Sequence, residues 1–410
     1  MKVIFLTQYF TPEQTASMHL SSNLTEDLVS AGVNVEVITQ MPVRAVGDQI
    51  RLSYKDKVRV ESGGLTINRI NIPGKELGSF MNRVFRSLLA TFLFFIKALS
   101  IKGDVIFAYS TPPTMGIMGV ILGKLKGIPV VYNLQDIFPD SLITTGKIKE
   151  GLFLRLLRWI EKLSYIGSSR IVVICQDFKH ILIERGVRAS KVDLVYNWID
   201  ETEVVSIPRN ENLLISRYRL PMDDFYITYC GNIGYTQNLE LLIDVAKSLE
   251  YIPDMRFVII GEGAYKLKLE MYVKETGAAN VHFLPYQPYE EISHVFSLGD
   301  VGIISSIRNT GNNSFPSKTW SIMSAARPVL ASFDVESELC KIIKDSKCGI
   351  CIPPENMESF CESILEMYNQ KDSLKTYGEN GRQYILNNLR REIGTRKIYN
   401  ILSEVIVEKQ

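Results

Sequence analysis

Tyr226-Ile227-Thr228-Tyr229-Cys230-Gly231-Asn232-Ile233-Gly234 is an apolar run that breaks on glycine. Such a run reads as a buried strand, and its glycines as a turn into the next element. Residues 238–249 then have helical periodicity, and Arg256–Ile260 is a second strand. Gly261-Glu262-Gly263 repeats the glycine break, and Tyr265–Glu275 is a second helix. Val281–Leu284, Val301–Ile304 and Val329–Ala331 continue as strands. Strand–helix alternation of this length predicts a doubly wound α/β domain with a parallel sheet.

Upstream the same grammar has already run once. Val3–Thr7, Val35–Thr39, Asp104–Ala108, Pro129–Leu134, Arg170–Cys175 and Asp193–Tyr196 read as strands. Ser17–Ala31, stopped by Gly32, and Met115–Lys126, stopped by Gly127, read as helices. Asp200–Pro221 is polar and without clear period, and reads as a linker. The expected division is therefore 1–200, a linker over 201–221, a second domain over 222–385, and a carboxyl-terminal helix over 386–410.

With 410 residues, 46% of them hydrophobic and 22% charged, the chain has ample core for two domains without disulfides or metals. The net charge of +1 hides an asymmetry. Residues 1–200 hold 24 Lys and Arg against 17 Asp and Glu, a net of +7, which leaves −6 for the remainder. A basic amino-terminal half suits an anionic partner. The basic residues do not interleave with aromatics in a compact stripe, so nucleic acid is not the expected partner. MKVIFLTQYF lacks a signal-peptide cleavage site and reads as the first strand. Six cysteines in such a chain are expected as reduced thiols. Cys348-Gly349-Ile350-Cys351 has no second cysteine pair or nearby histidine, so it reads as structural rather than as a zinc or redox motif.

Arg83–Lys102 stands apart. Ser87–Ile96 is free of charge and includes Leu88, Leu89, Phe92 and Phe95, with Arg83, Arg86, Lys97 and Lys102 at its flanks. It is too short to span a bilayer, so it is either a core helix or a helix lying on an anionic membrane surface.

Candidate chemistry sits where strands end. Pro316-Ser317-Lys318 opens a helix, where free N–H groups and a lysine would meet a phosphate. Gly231 to Gly234, and Gly261 with Gly263, let backbone approach a ligand closely. No G-x-G-x-x-G follows a strand, which disfavours a dinucleotide oxidoreductase. In the first half, Gln135 and Asp136 follow the strand ending at Leu134. Thr111 ends another, and Gln8 to Thr15 follow the first, giving Gln8, Tyr9 and Thr11 as acceptor-side candidates. His19 is a weak candidate beside them.

Together these motifs resemble family 4 of the retaining glycosyltransferases, and within it the bacterial surface-polysaccharide branch that includes fucosamine transferases. The resemblance is carried by Phe5-Leu6-Thr7-Gln8-Tyr9-Phe10-Thr11-Pro12-Glu13, Leu134-Gln135-Asp136-Ile137-Phe138-Pro139-Asp140-Ser141, Val195-Tyr196-Asn197-Trp198-Ile199-Asp200, Tyr229 to Gly234, Gly261 to Gly263 and Pro316 to Lys318. It implies the GT-B fold, two Rossmann-like domains facing each other across a cleft, with the last helix, near Glu392–Val407, crossing back to the first domain. It puts Gly231, Asn232, Gly234, Ser317 and Lys318 at the diphosphate of a nucleotide sugar, with Gly261, Gly263 and Pro316 beside them, and the Leu284–Pro288 loop near the base. Asp136, Gln135 and Lys318 are its catalytic candidates. Where many members carry two Glu residues eight positions apart, this chain has Asn313 and Ser321, with Glu336 or Glu338 as possible substitutes. Where many pair an Arg with a Lys after the first glycine, Asn232 and Gln237 or Asn238 stand here, and Gln135 stands in place of a histidine.

The implied reaction is retaining transfer from a nucleotide diphosphate sugar, with a UDP-linked N-acetylated amino sugar expected, to a lipid-linked glycan of O-antigen or capsule. It needs no cofactor and no metal, since no D-x-D occurs in the matched segments. The implied place is the cytoplasm, peripheral on the inner face of the bacterial membrane. A sugar-nucleotide 2-epimerase of the same fold and a non-catalytic nucleotide-sugar-binding scaffold are the alternatives.

Overall fold

A computed structural model describes residues 1–13, 18–43, 46–73, 80–140, 151–311 and 314–409. The chain divides into two compact units: Met1–Asn197 with Glu392–Gln410, and Trp198–Arg391.

Unit 1 begins β1 (Lys2–Leu6), α1 (Met18–Ser30), β2 (Asn34–Gln40), α2 (Asp48–Tyr54), β3 (Arg59–Ser62), β4 (Leu65–Ile70) and α3 (Phe80–Leu99). It continues with β5 (Val105–Tyr109), α4 (Met115–Lys126), β6 (Val130–Leu134), α5 (Leu152–Gly167), β7 (Arg170–Val173), α6 (Gln176–Glu184) and β8 (Val192–Leu194). The sheet order is β3-β4-β2-β1-β5-β6-β7-β8. All neighbours are parallel except β3 with β4, a hairpin turned by Gly63 and Gly64, both at positive φ. The strand periodicity read from sequence misses β3, because Arg59–Ser62 is solvated and offers no apolar signal, and β4, where the buried Asn68 and Arg69 break the apolar run. Val3 sits opposite Val35 and Val105 at the sheet centre, and the chain reverses its direction of travel between β1 and β5. α4 lies close on the strands because it carries glycine on its inner face: a Cβ on Gly123 would fall inside the side chain of Val130.

Unit 2 runs α7 (Leu213–Tyr218), β9 (Phe225–Cys230), α8 (Leu239–Ser248), β10 (Met255–Ile260), α9 (Lys266–Thr276), β11 (Val281–Leu284) and α10 (Ile292–Ser297). Then come β12 (Val301–Ser305), α11 (Lys318–Ser324), β13 (Val329–Ser332), α12 (Glu338–Asp345), β14 (Gly349–Ile352), α13 (Met357–Asn369) and α14 (Lys371–Asn388). The six strands are ordered β11-β10-β9-β12-β13-β14, so the direction of travel switches between β9 and β12. Ile227, Phe257, Ile259, Ile303 and Leu330 are buried at its core with Leu242 and Ile243 of α8.

Three sequence expectations need correction. Residues 201–221 are not a loose linker. Asn212 caps α7 by accepting from the Leu214 N–H at 3.0 Å, and Ser293 and Ser297 donate to the carbonyls of Glu203 and Val205. These polar bonds, with the buried Val204, Leu214 and Ile215, fix the stretch within unit 2, and three apolar residues so spaced make no period. The six cysteines are not all thiols: Cys340 of α12 and Cys351 of β14 form a disulfide, their Cα atoms 5.7 Å apart. The helix carries Cys340 directly over the strand, a neighbour that the C-x-x-C spacing does not reveal. α15 (Arg391–Val407) groups with unit 1 from Glu392 onward, where Arg170 of β7 pairs with Glu408 at 2.7 Å and Glu404 at 3.6 Å. The expected tail from 386 therefore begins inside α14, which belongs to unit 2.

Candidate functional site

In unit 2 the loops after β9, β10 and β12 meet at the switch point, where open α/β sheets bind ligands. Backbone is pressed against backbone here. Gly231 has φ +136° and Gly261 φ +154°, values that side chains disfavour. A Cβ on Gly261 would overlap the carbonyl oxygen of Gly231, and one on Gly263 the carbonyl oxygen of Ile233. The Gly231 N–H donates to Ile260 O at 2.9 Å and the Ile233 N–H to Glu262 O at 2.9 Å, locking the two glycine loops side by side. Gln237 accepts from the Gly234 N–H at 3.0 Å. Across the switch, the Ile307 N–H donates to Thr236 O at 3.0 Å.

Lys318 reaches under this loop. Its ammonium donates to the Tyr229 hydroxyl at 2.5 Å and stands 3.9 Å from the Tyr229 ring centroid. A Cβ on Gly231 would lie 3.1 Å from its Nζ. Tyr229 in turn donates to Asn232 O at 2.7 Å. Among the described residues no carboxylate pairs with Lys318. Burial pushes its pKa down, to about 7. Part of the side chain still meets solvent. A cation held without a counter-ion beside glycine backbone suits an incoming anion.

The other donor-side candidates separate. Ser317 caps α11 without a side-chain bond to it, and Pro316 O accepts from the Thr319 N–H at 3.1 Å. α11 has only seven residues, so Lys318 itself, rather than a long helix dipole, carries the charge. Ser321 is half-buried within α11. Asn313 lies outside the described residues. Glu338 is buried in the first turn of α12. Asn232 is exposed on its loop, and Gln287 ties the Leu284–Pro288 turn by donating to Pro285 O at 2.6 Å.

Two features escape the sequence reading. The hydroxyls of Ser305, Ser306 and Ser332 are buried at the ends of β12 and β13 with no hydrogen-bond partner. Asp334, just past β13, accepts from the Asn309 N–H at 3.0 Å and the Gly311 N–H at 2.8 Å, and so fixes the loop after β12. A serine pair at a strand end was the available signal. Asp334 gave none, because its partners are backbone groups 23 and 25 residues away.

In unit 1 the candidates gather at the ends of the adjacent strands β1, β5 and β6. Here side chains, not glycines, make the surface. The Gln135 N–H donates to Ser110 Oγ at 3.0 Å, its amide donates to Asn133 Oδ1 at 2.9 Å, and its Oε1 accepts from Asn197 Nδ2 at 2.8 Å. Gln135 is thus fixed in orientation. Asp136 is exposed, and the protein around it pushes its pKa up. The accessible face limits that rise, and the upward direction is retained. Gln8 is buried, its carbonyl accepting from Thr39 Oγ1 at 3.0 Å. Tyr9 is half-buried and its carbonyl accepts from Thr7 Oγ1 at 3.0 Å. Thr11 O accepts from Arg69 Nη2 at 2.9 Å, and Thr111 is exposed. His19 is half-buried in α1.

The loop bearing Asp136 is held from behind. Asp140 accepts from Arg158 of α5, through Nε at 3.0 Å and Nη2 at 2.7 Å, and pairs with Arg185 after α6. Arg185 also approaches Glu161 at 3.7 Å. Burial pushes Glu161 up, to about 8, and Tyr165 donates to it at 2.5 Å. No group of three or more His, Cys, Asp or Glu among the described residues is placed to hold a metal ion.

Residues 211–384 match the family described as glycosyl transferases group 1, and residues 21–198 the glycosyl transferase 4-like domain. The chain is 26% identical over 382 residues to WcaI of Escherichia coli K12, named for colanic acid biosynthesis as a glycosyl transferase, covering 89% of this chain and 92% of that protein. It is 24% identical over 300 residues to WbjE of Pseudomonas aeruginosa, named as a glycosyltransferase, covering 72% and 74%. Among solved structures, sucrose-phosphate synthase of Thermosynechococcus elongatus superposes with a TM-score of 0.78 at 14% identity over 99% of both chains. HepE of Anabaena, solved with UDP-glucose, gives 0.75 at 15% identity over 98% and 100%. At such identities the structures speak to the fold, and the family models to descent. The chain belongs to the GT-B glycosyltransferases, with a group 1 domain behind a glycosyl transferase 4-like domain.

Proposed function

We propose that the protein transfers a sugar from a nucleotide diphosphate sugar, with retention, to a lipid-linked glycan during assembly of a bacterial surface polysaccharide. The observation that carries this reading is the Lys318 ammonium, unpaired with any described carboxylate and set against the Gly231–Gly234 backbone at the switch point of unit 2. The diphosphate sits on that backbone and ammonium. The names of WcaI and HepE's UDP-glucose support the substrate class. A UDP-linked N-acetylated amino sugar is the donor.

In the reaction an acceptor hydroxyl oxygen bonds to the anomeric carbon as the carbon–phosphate oxygen bond breaks. The acceptor proton passes to the departing phosphate oxygen. Charge grows on that diphosphate, and stabilising it is the main catalytic demand. Lys318 and the loop amides meet it, which makes metal independence the expectation. Asp136 accepts a hydrogen bond from a substrate hydroxyl and orients it, with Gln135 beside it. The enzyme works at the cytoplasmic face of the membrane, where lipid-linked acceptors are loaded.

The test has two stages. A thermal-shift panel of UDP-, GDP- and ADP-sugars should show stabilisation by the UDP set, since bound ligand raises apparent stability with affinity. Transfer to a lipid-linked acceptor, followed by NMR of the anomeric proton in chelator, should then show the donor's configuration kept. No shift with any nucleotide sugar, or an inverted product, would sink the reading.

A further inference from the structure

α3, α4 and α5 form one layer on unit 1. Thr91 of α3 bonds Thr114 before α4, Oγ1 to Oγ1, at 2.5 Å. Lys126 at the end of α4 donates to Leu99 O and Ile101 O, each at 2.8 Å. Gly116 of α4 faces Ser164 of α5, and a Cβ on Gly167 of α5 would fall inside Val120 of α4. The inner residues of this layer, such as Phe94, Leu122 and Leu154, are buried.

Its outer face is apolar too. On α3, Met81, Phe85, Leu88, Phe92 and Ile96 recur at steps of three and four, and Phe85 and Phe92 are 68% and 60% exposed. On α5, Leu152, Phe153, Leu156, Trp159 and Ile166 are exposed, with Leu152 at 83% and Trp159 at 58%. Ile121 and Leu125 of α4 are exposed between them. Scattered exposed apolar residues are ordinary, but rows on three adjacent helices are not.

The charge on this layer has one sign. The only carboxylate on the three helices is Glu161, which is buried. Arg86 is also turned inward, donating to Ile72 O at 2.6 Å, and so is not part of the outer face that the sequence suggested for it. Arg83, Lys124, Arg155 and Lys162 are exposed. A second copy of the same face would set these cations against one another, which disfavours self-pairing. Aromatic and aliphatic rows with cations and no anions fit an interface whose deep part is hydrocarbon and whose rim is phosphate.

We propose that α3, α4 and α5 together are the surface on which this protein lies on an anionic lipid bilayer, with Phe85, Phe92 and Trp159 entering the acyl boundary. The surface does not depend on the transfer reading, because it can be measured without sugar or acceptor.

The chain contains three tryptophans, and Trp198 and Trp320 are 4% and 1% exposed. Emission should therefore shift to the blue through Trp159 when the protein meets phosphatidylglycerol-containing vesicles. Pure phosphatidylcholine vesicles should give little shift, and Trp159→Phe should abolish it. Phe85→Ser with Phe92→Ser should weaken vesicle co-sedimentation roughly 10- to 100-fold. Lys124→Glu with Lys162→Glu should weaken it by roughly tenfold or more. Both double variants should keep the melting temperature and nucleotide affinity of the parent. Equal binding to neutral vesicles, unchanged binding by the Phe pair, or a dimer in solution that dissociates when the Phe pair is changed would each overturn the proposal.

Discussion

The two sheets end in different materials. At the carboxyl ends of β9 and β10 the chain presents glycine backbone and one ammonium, and side chains are kept away because a Cβ on Gly261 or Gly263 would strike a carbonyl. At the ends of β5 and β6 it presents Ser110 and Asn133, both bonded to Gln135, with Asp136 next in the chain. Backbone N–H groups beside a cation recognise phosphate. Amides and a carboxylate recognise hydroxyls, and can hold only groups that match their donors and acceptors. One fold thus offers one end suited to a leaving group and another suited to a sugar or glycan.

That contrast can be broken at defined points. Lys318→Ala should reduce turnover by roughly 10²–10³-fold, the usual cost of removing a group aimed at developing charge, and should weaken UDP binding as well. Steady-state rates near the parent's would remove Lys318 from the chemistry. Asp136→Asn should lower kcat by roughly 10²-fold while leaving UDP affinity intact. Loss of UDP affinity in that variant would mean that the division of labour between the units is wrong. Gly261→Ala should do the reverse, weakening UDP binding by roughly tenfold or more through displaced backbone, as read by calorimetry.

The smallest effect concerns protons. Lys318 is pushed down to about 7 when folded, against 10.5 for an ordinary lysine. Between those values the unfolded chain holds a proton that the native chain has released, so native stability rises with pH across that window. A diphosphate requires the charged form, so binding at pH 8 should take up a proton, and affinity should fall by up to about tenfold per pH unit above 7. Calorimetry in buffers of different ionisation enthalpy measures the uptake, and Lys318→Met should abolish it.

Much of this was readable from the chain because the buried strands are continuous apolar runs. Val3, Ile4 and Phe5, or Ile227 and Phe257, can be nowhere but inside a parallel sheet. Gly231, Gly261 and Lys318 were readable because their types are specialised. Asp334 was not, because its role lies in which backbone groups come near it. The 201–221 stretch was misread for the same reason, its order resting on Ser293, Ser297 and Asn212 rather than on apolar period. The apolar outer face of α3, α4 and α5 was readable only in part. α3 shows an uncharged stretch, whereas α5 has Arg155, Arg158, Glu161 and Lys162 mixed into its sequence, and their direction decides its character.

α15 has a consequence for how the molecule is made. Its residues from Glu392 onward complete unit 1, with Glu404 and Glu408 on Arg170, yet they follow all of unit 2 in the chain. On the ribosome, the half that emerges first is therefore finished last. Unit 2 can close while Arg170 still waits for Glu404 and Glu408, and the amino-terminal sheet spends the intervening synthesis without that helix.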